Sequence, residues 1–291
     1  MNKISNAKLD LFEVANQNAK RIENNYKEIK KKYCVKDETT LEEFAGFVKK
    51  NWALSINLKQ SEINGFLISG IYQNMYQVIE DDLKKLSLER GINISKEEVA
   101  KNRMGIFYEP RKIFENQFED GERFIYAALN TGGIGLKKHG AEFCLIVHQK
   151  EVKKMSSCAF LKKESTLYVH NGSLNIEQLK NDTASRKTIH LLTAIKNEKE
   201  LPDTAAKNWP ELVCNEKNYI EAITTDDISI EHINTVRISK KSEDIYFDYL
   251  YKGCISQLDK FEKDYLGDFR DMLKLLEKNG INKEIIDEKG N

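Results

Sequence analysis

A glutamate interrupts an apolar run, KNYIEAIT, at Glu221. Read as a half-buried strand, the run turns Tyr219, Glu221 and Ile223 to one side and Ile220 and Ala222 to the other. A carboxylate on such a strand is paired, held in a solvated cleft or functional, unless the strand is an exposed edge. Asp226 and Asp227 follow and are expected to start a turn and cap the ISIEHI segment. The other concentration of chemistry-bearing residues is the turn Gly132-Gly133-Ile134-Gly135, between the apolar runs RFIYAAL and EFCLIVH. Glycines there allow positive φ and close approach of a ligand. Lys137, Lys138 and His139 beyond the turn suit an anionic ligand, and an ordinary loop has the same composition.

Several chemistries are excluded by spacing. The glycine turn leads into another strand where a helix would be required, so it is not a Rossmann fingerprint, and no Walker A motif occurs. His139, His148, His170, His190 and His232 form no HExxH or HxH pair, and no GxSxG elbow is present. Cys34, Cys144, Cys158, Cys214 and Cys254 include no CxxC pair, so neither a zinc site nor a disulfide framework is expected, and Cys144 reads as a buried thiol. No metal is implied. A metal-dependent nuclease would need an acidic-x-Lys strand, which is not evident.

The elements that must position these residues fall into three stretches of the 291-residue chain. Residues 1–103 contain no proline and read as a helical region. Phe12, Ala15, Ala19, Ile22, Tyr26, Ile29 and Tyr33 make one stripe, either a seam for a second copy of the chain or a face packed on its own domain. Thr40 with Glu43 and Ser95 with Glu98 resemble capping boxes, Ser61 is a further cap, and Gly91 is a helix stop. NWALSINL is expected to be extended or a turn. Residues 104–241 are strand-rich, with runs at 105–108, 123–129, 142–148, 165–169, 217–224 and 234–239, and a helix over 182–196. Residues 242–291 return to helix, stopped by Gly280. The expected fold class is therefore α+β: a mixed or antiparallel sheet core flanked by an N-terminal helical region and a C-terminal helix.

Lys+Arg and Asp+Glu both number 46, so net charge gives no footprint for nucleic acid or an anionic membrane. No run is long enough to span a bilayer and no Sec leader is read at the N-terminus, so a cytoplasmic protein, or one delivered by a non-Sec route, is expected.

The segment YIEAITTDDISIEHINTVRIS resembles the late catalytic strand of mono-ADP-ribosyltransferase-type toxin and effector domains, and HGAEFCLIVHQKEV with CAFLKKESTLYV resembles their middle strands. The resemblance covers roughly residues 121–239. It implies an enzyme that consumes NAD as a substrate and transfers ADP-ribose to a macromolecule, protein or nucleic acid. Carried over by order, Glu221 would be the catalytic glutamate that holds the nicotinamide ribose. Ser165 and Thr166 would shape the nicotinamide pocket, and Arg123 would contact the phosphates, with Arg103 and Arg111 as rivals. Asn130 and Gly133 would complete the cofactor contacts. Leu167 replaces the second Ser of the family pattern, and Tyr219 stands where arginine-directed members carry Glu or Gln. The alternative expectation is a non-enzymatic assembly protein whose sheet is structural.

Overall fold

A computed structural model describes residues 8–32, 35–91, 94–136 and 142–287. Lys137, Lys138, His139 and Tyr33 lie outside the described residues. The fold is α+β. Its centre is one eight-stranded sheet built from β1 (Trp52–Leu58), β2 (Ile125–Thr131), β3 (Phe143–Val147), β4 (Cys158–Leu161), β7 (Thr183–Ser185), β8 (Glu221–Thr224), β9 (Ile233–Ser239) and β10 (Asn282–Ile286), while β5 (Val169–His170) and β6 (Ser173–Leu174) form a separate hairpin. The strand order is β10-β9-β3-β1-β2-β8-β4-β7. β10 runs parallel to β9, and every other pairing in the sheet is antiparallel.

The described helices are α1 (Leu11–Gln17), α2 (Ala19–Lys30), α3 (Val35–Asn51), α4 (Gln60–Ser69), α5 (Met75–Arg90), α6 (Lys96–Met104), α7 (Tyr108–Glu115), α8 (Gln149–Val152), α9 (Ile176–Asp182), α10 (Ile189–Lys196), α11 (Trp209–Val213), α12 (Lys240–Ile255) and α13 (Lys260–Lys278). Strand alternation sends Leu54, Ile56, Leu58, Ala127, Leu129, Phe143, Leu145 and Ala222 to one face. There they pack on α2, α3, α4, α10 and α13 through Ile22, Phe44, Val48, Phe66, Leu192 and Phe269, forming the main core. The opposite face is divided. At one end Ala159, Leu161 and Ile223 pack under α1, α7 and α9 through Leu11, Ala15, Phe114 and Leu179. Toward the middle of the sheet that face is lined by small and polar side chains, and α5 with α6 stands over it on a small core of its own, Ile79, Val99, Ala100 and Tyr108.

Several sequence expectations change. The segment NWALSINL is a central strand, β1, so the N-terminal helical stretch supplies the middle of the sheet. Its Ser55 and Asn57 alternate with large apolar residues because they face the divided side of the sheet, which hides the strand from a hydrophobicity reading. Residues 105–108 are not a strand: a 3-10 turn, Gly105–Phe107, leads into α7, with Pro110 in its first turn where no intrahelical N–H is needed. The expected strand at 165–169 is a 3-10 turn, Ser165–Tyr168, followed by β5. The expected helix over 182–196 is split by β7. The C-terminal stretch holds two helices and an edge strand, β10, instead of one helix.

The caps are partly reassigned. Ser95 and Glu98 form the expected capping box, and Gly91 ends α5 in the left-handed region. Thr40 is interior to α3, and α4 starts after Lys59, not Ser61. Asp226 does not cap the segment after it. Its carboxylate accepts from the Ser157 N–H at 3.0 Å and the Ser156 hydroxyl at 2.8 Å, and Ser229 caps the following 3-10 turn instead. The N-terminal stripe is used within the chain. Ala15 buries at the β4 end of the sheet, and Ile22 and Tyr26 enter the main core, so this stripe is not a free seam for a second copy.

Candidate active site

Glu221 opens β8 and is 3% exposed. Its register neighbours are Ala128 on β2 and Leu161 on β4, and Ala128 is in turn opposite Ser55 on β1. A row of small side chains thus runs away from the carboxylate along the sheet. The space left over that row is a cavity of about 380 Å³ lined by Ser55, Asn57, Ala128 and Glu221 from the sheet, Arg111 and Glu115 from α7, and Tyr72, Met75, Arg103, Phe107 and Tyr219 among others. That volume suits a small ligand.

The Ser165 backbone N–H donates to Glu221 Oε2 at 2.7 Å. It is free to do so because the opening residue of a helical turn has no intrahelical acceptor. The Ser165 hydroxyl lies near the carboxylate but outside hydrogen-bond geometry, and it has no other partner. On the other side, Arg111 Nη2 stands 4.0 Å from Glu221 Oε1. The Arg111 guanidinium is stacked on Tyr126, 3.5 Å from the ring centroid. One helical turn further along α7, Glu115 accepts hydrogen bonds from the Tyr126 hydroxyl at 2.8 Å and the Tyr76 hydroxyl at 2.6 Å. Gly121 fixes the approach of this turn to β2, since a Cβ there would overlap the Glu115 carbonyl.

The electrostatics follow from this arrangement. Burial pushes the Glu221 carboxyl up to about 7, against the downward pull of Arg111 and the Ser165 N–H. Burial also raises Glu115, opposed by the two tyrosine hydroxyls and Arg111. Burial raises the Tyr219 hydroxyl too, with the Glu221 charge adding to it. Three carboxylates, Glu115, Glu164 and Glu221, and two guanidiniums, Arg103 and Arg111, line the cavity, and when all three carboxylates are ionised it holds one excess negative charge. Rings from Tyr72, Phe107, Phe124, Tyr126 and Tyr219 contribute to its walls. A cavity of that kind favours a planar cation.

Lys196 at the end of α10 ties the two segments that meet at Glu221. Its ammonium donates to the Lys162 carbonyl, before the Ser165 turn, and to the Tyr219 carbonyl at 2.5 Å, before β8. Burial lowers Lys196 to about 7, with Lys162 adding to the effect.

The sequence-predicted residues separate into two groups. Glu221 and Ser165 are together, and Thr166 is beside them, its hydroxyl donating to Glu164 at 2.9 Å. Arg123 is elsewhere: it ends a 3-10 turn before β2, its side chain is 66% exposed, and it pairs with Asp120 at 3.3 Å. The arginines at the cavity are its rivals, Arg111 beside Glu221 and Arg103, which lines the cavity and pairs with Asp82. Asn130 is fully buried and serves the glycine turn, its Oδ1 accepting from the Gly135 N–H at 3.0 Å and the Cys214 thiol at 3.3 Å. Gly133 adopts φ +68° within that turn and does not line the cavity. Cys144 is buried as expected and its thiol is raised to about 12 by burial. His148, His170, His190 and His232 all lie outside the cavity lining.

Sequence reasoning did not single out Glu115, Tyr76 or Tyr126. The available signal was the four-residue spacing of Arg111 and Glu115, which puts them on one helix face only once 108–115 is read as helix.

No family model and no curated protein matches the chain.

Proposed function

We propose that the chain is an ADP-ribosyltransferase-like enzyme that takes NAD as its donor, with the nicotinamide ribose over Glu221. The observation that carries this reading is the buried Glu221 on the cavity floor, held by the Ser165 N–H in a space with one more carboxylate than guanidinium. The nicotinamide ring of NAD is a planar cation, which suits the aromatic walls and the excess negative charge.

In the reaction, the bond between ribose C1′ and the pyridinium nitrogen breaks and its electron pair goes to the nitrogen. Neutral nicotinamide leaves, and positive charge passes to an oxocarbenium ion that the Glu221 carboxylate stabilises. A nucleophile of the acceptor then adds to C1′ and gives up its proton to Glu221, whose affinity for protons near neutral pH suits that role. In this reading Arg103, which lines the cavity and pairs with Asp82, would exchange that pairing for the donor phosphates. Arg111 positions the Glu221 carboxylate.

The charge argument is tested with a carbocyclic NAD analogue, which cannot be cleaved, and its neutral dihydropyridine counterpart. Calorimetric titration at pH 8 is expected to show the cationic form binding about 10-fold tighter. The preference is expected to shrink at pH 5.5, where Glu221 is protonated. Equal affinities at pH 8, or no binding of either form, contradict the assignment.

A further inference from the structure

α12 carries an apolar stripe on the side turned away from the protein. Phe247, Tyr251 and Ile255 recur every fourth residue and are 53%, 69% and 68% exposed, and Phe261, just past the turn into α13, is 68% exposed. The inward side of the same helix is already used: Tyr246 stacks on Phe269 at 4.6 Å, and Tyr249 meets Tyr265 edge-on at 5.6 Å. A helix of this length with apolar residues on both its inner and outer sides has a second surface to cover.

We propose that this face is the interface of a homodimer, formed by α12 packing antiparallel on α12 of a second copy. The reasons for a second copy are self-complementarity and size. Asp248 and Lys252 are one turn apart on the same flank of the stripe. A two-fold axis passing between Leu250 and Tyr251 brings Asp248 of each copy nearly level with Lys252 of the other, and Phe247 nearly level with Ile255. Lys252 donates to Glu262 within its own chain, and an ammonium has further N–H donors to offer Asp248. Asp244, one turn before Asp248 on the same edge, is paired with Lys240 in its own chain, so the flank carries both signs of charge in an order that matches itself, and not the single sign that a strongly acidic or basic partner would select. Exposed parts of three aromatic rings and one isoleucine amount to roughly 500 Å² per copy, so a pair covers roughly 1,000 Å², the lower end for a specific interface. The face does not line the Glu221 cavity, and the inference stands apart from the proposed activity.

The test is sedimentation of the full chain from about 1 to about 200 µM, a range that spans the affinity of a small interface. Wild type is expected to pass from monomer to dimer, and Tyr251→Glu to stay monomeric with unchanged circular dichroism, because Tyr251 is exposed in the monomer. Residues near a two-fold axis meet their own copies, so Tyr251→Cys in a Cys254→Ser background is expected to cross-link as a dimer under copper–phenanthroline and oxygen. A wild-type chain that remains monomeric over the whole range overturns the proposal. So does a dimer that Tyr251→Glu leaves intact, and so does the absence of cross-linking at position 251. Monomeric protein whose Tyr251 patch binds lipid vesicles also counts against it.

Discussion

Under the proposed activity, Glu221→Gln is expected to fold, to bind the cationic donor up to about 10-fold more weakly at pH 8, and to release nicotinamide about 100- to 1,000-fold more slowly than wild type. Glutamine has nearly the same volume, and its side-chain oxygen can accept the Ser165 N–H, so the contact at 2.7 Å survives. What disappears is the negative charge that, in the proposed reaction, faces the developing oxocarbenium ion, and such a charge is worth most in a site shielded from water. The same substitution has a stability signature. In the folded chain Glu221 holds its proton up to about pH 7, against the ordinary value of 4.5. Between those values the folded state binds a proton that the unfolded state has lost, so stability falls as pH rises through the window. A shift of that size corresponds to roughly 3 kcal/mol. Denaturant melts of wild type at pH 5 and pH 7.5 should show this decline, and Glu221→Gln should remove most of it. Turnover equal to wild type, or an unaltered pH dependence of stability, would contradict the placement of Glu221 as a buried carboxylate that carries the reaction.

Arg111→Met is expected to cost roughly 3–5 kcal/mol at pH 8, the range for removing one partner of a buried ion pair. Methionine keeps the packing against Tyr126, so the loss isolates the charge. Without the guanidinium, Glu221 and Glu115 share the cavity with no buried cation, and each favours its protonated form more strongly. The destabilisation should therefore shrink below about pH 5, where both carboxyls are neutral in the variant. Any residual activity should need a more alkaline pH than in wild type. A loss under about 1 kcal/mol at pH 8, or a loss that does not depend on pH, would show that Arg111 is not the counter-ion of these carboxylates.

The parts of the fold legible in the sequence are those where local preference and tertiary burial agree. β2, β3 and β9 read as strands because Ile, Val, Phe and Tyr fill positions that are covered by the core. Glu221 was visible for the opposite reason: it violates the pattern of its own strand, and such violations concentrate at sites. β1 was hidden because its cavity-facing Ser55 and Asn57 break the apolar run. α7 was hidden because GIFY has strand composition, and only tertiary packing turns Tyr108 and Phe114 into helix residues. That one element carries Arg111 and Glu115, whereas Arg123 is nominated by chain order, from the strand run ERFIY. Chain order can nominate an arginine, but what separates the two is tertiary: Arg111 reaches the buried Glu221 while Arg123 stays exposed beside Asp120, and residue order holds no record of that. The glycine turn attracted notice for its composition, yet its work is local: Asn130 fastens Gly135 beside Cys144, where a Cβ at Gly135 would crowd the thiol.

The most direct measurement of the central claim is nicotinamide release from NAD by the wild-type chain, followed chromatographically from pH 5.5 to 8.5. In the proposed reaction the charge-bearing form of Glu221 is the active one, so the rate is expected to rise with pH and level off above an inflection near 7. No release above the enzyme-free blank at any pH, or a rate that is unchanged between pH 5.5 and 8.5, would contradict the account.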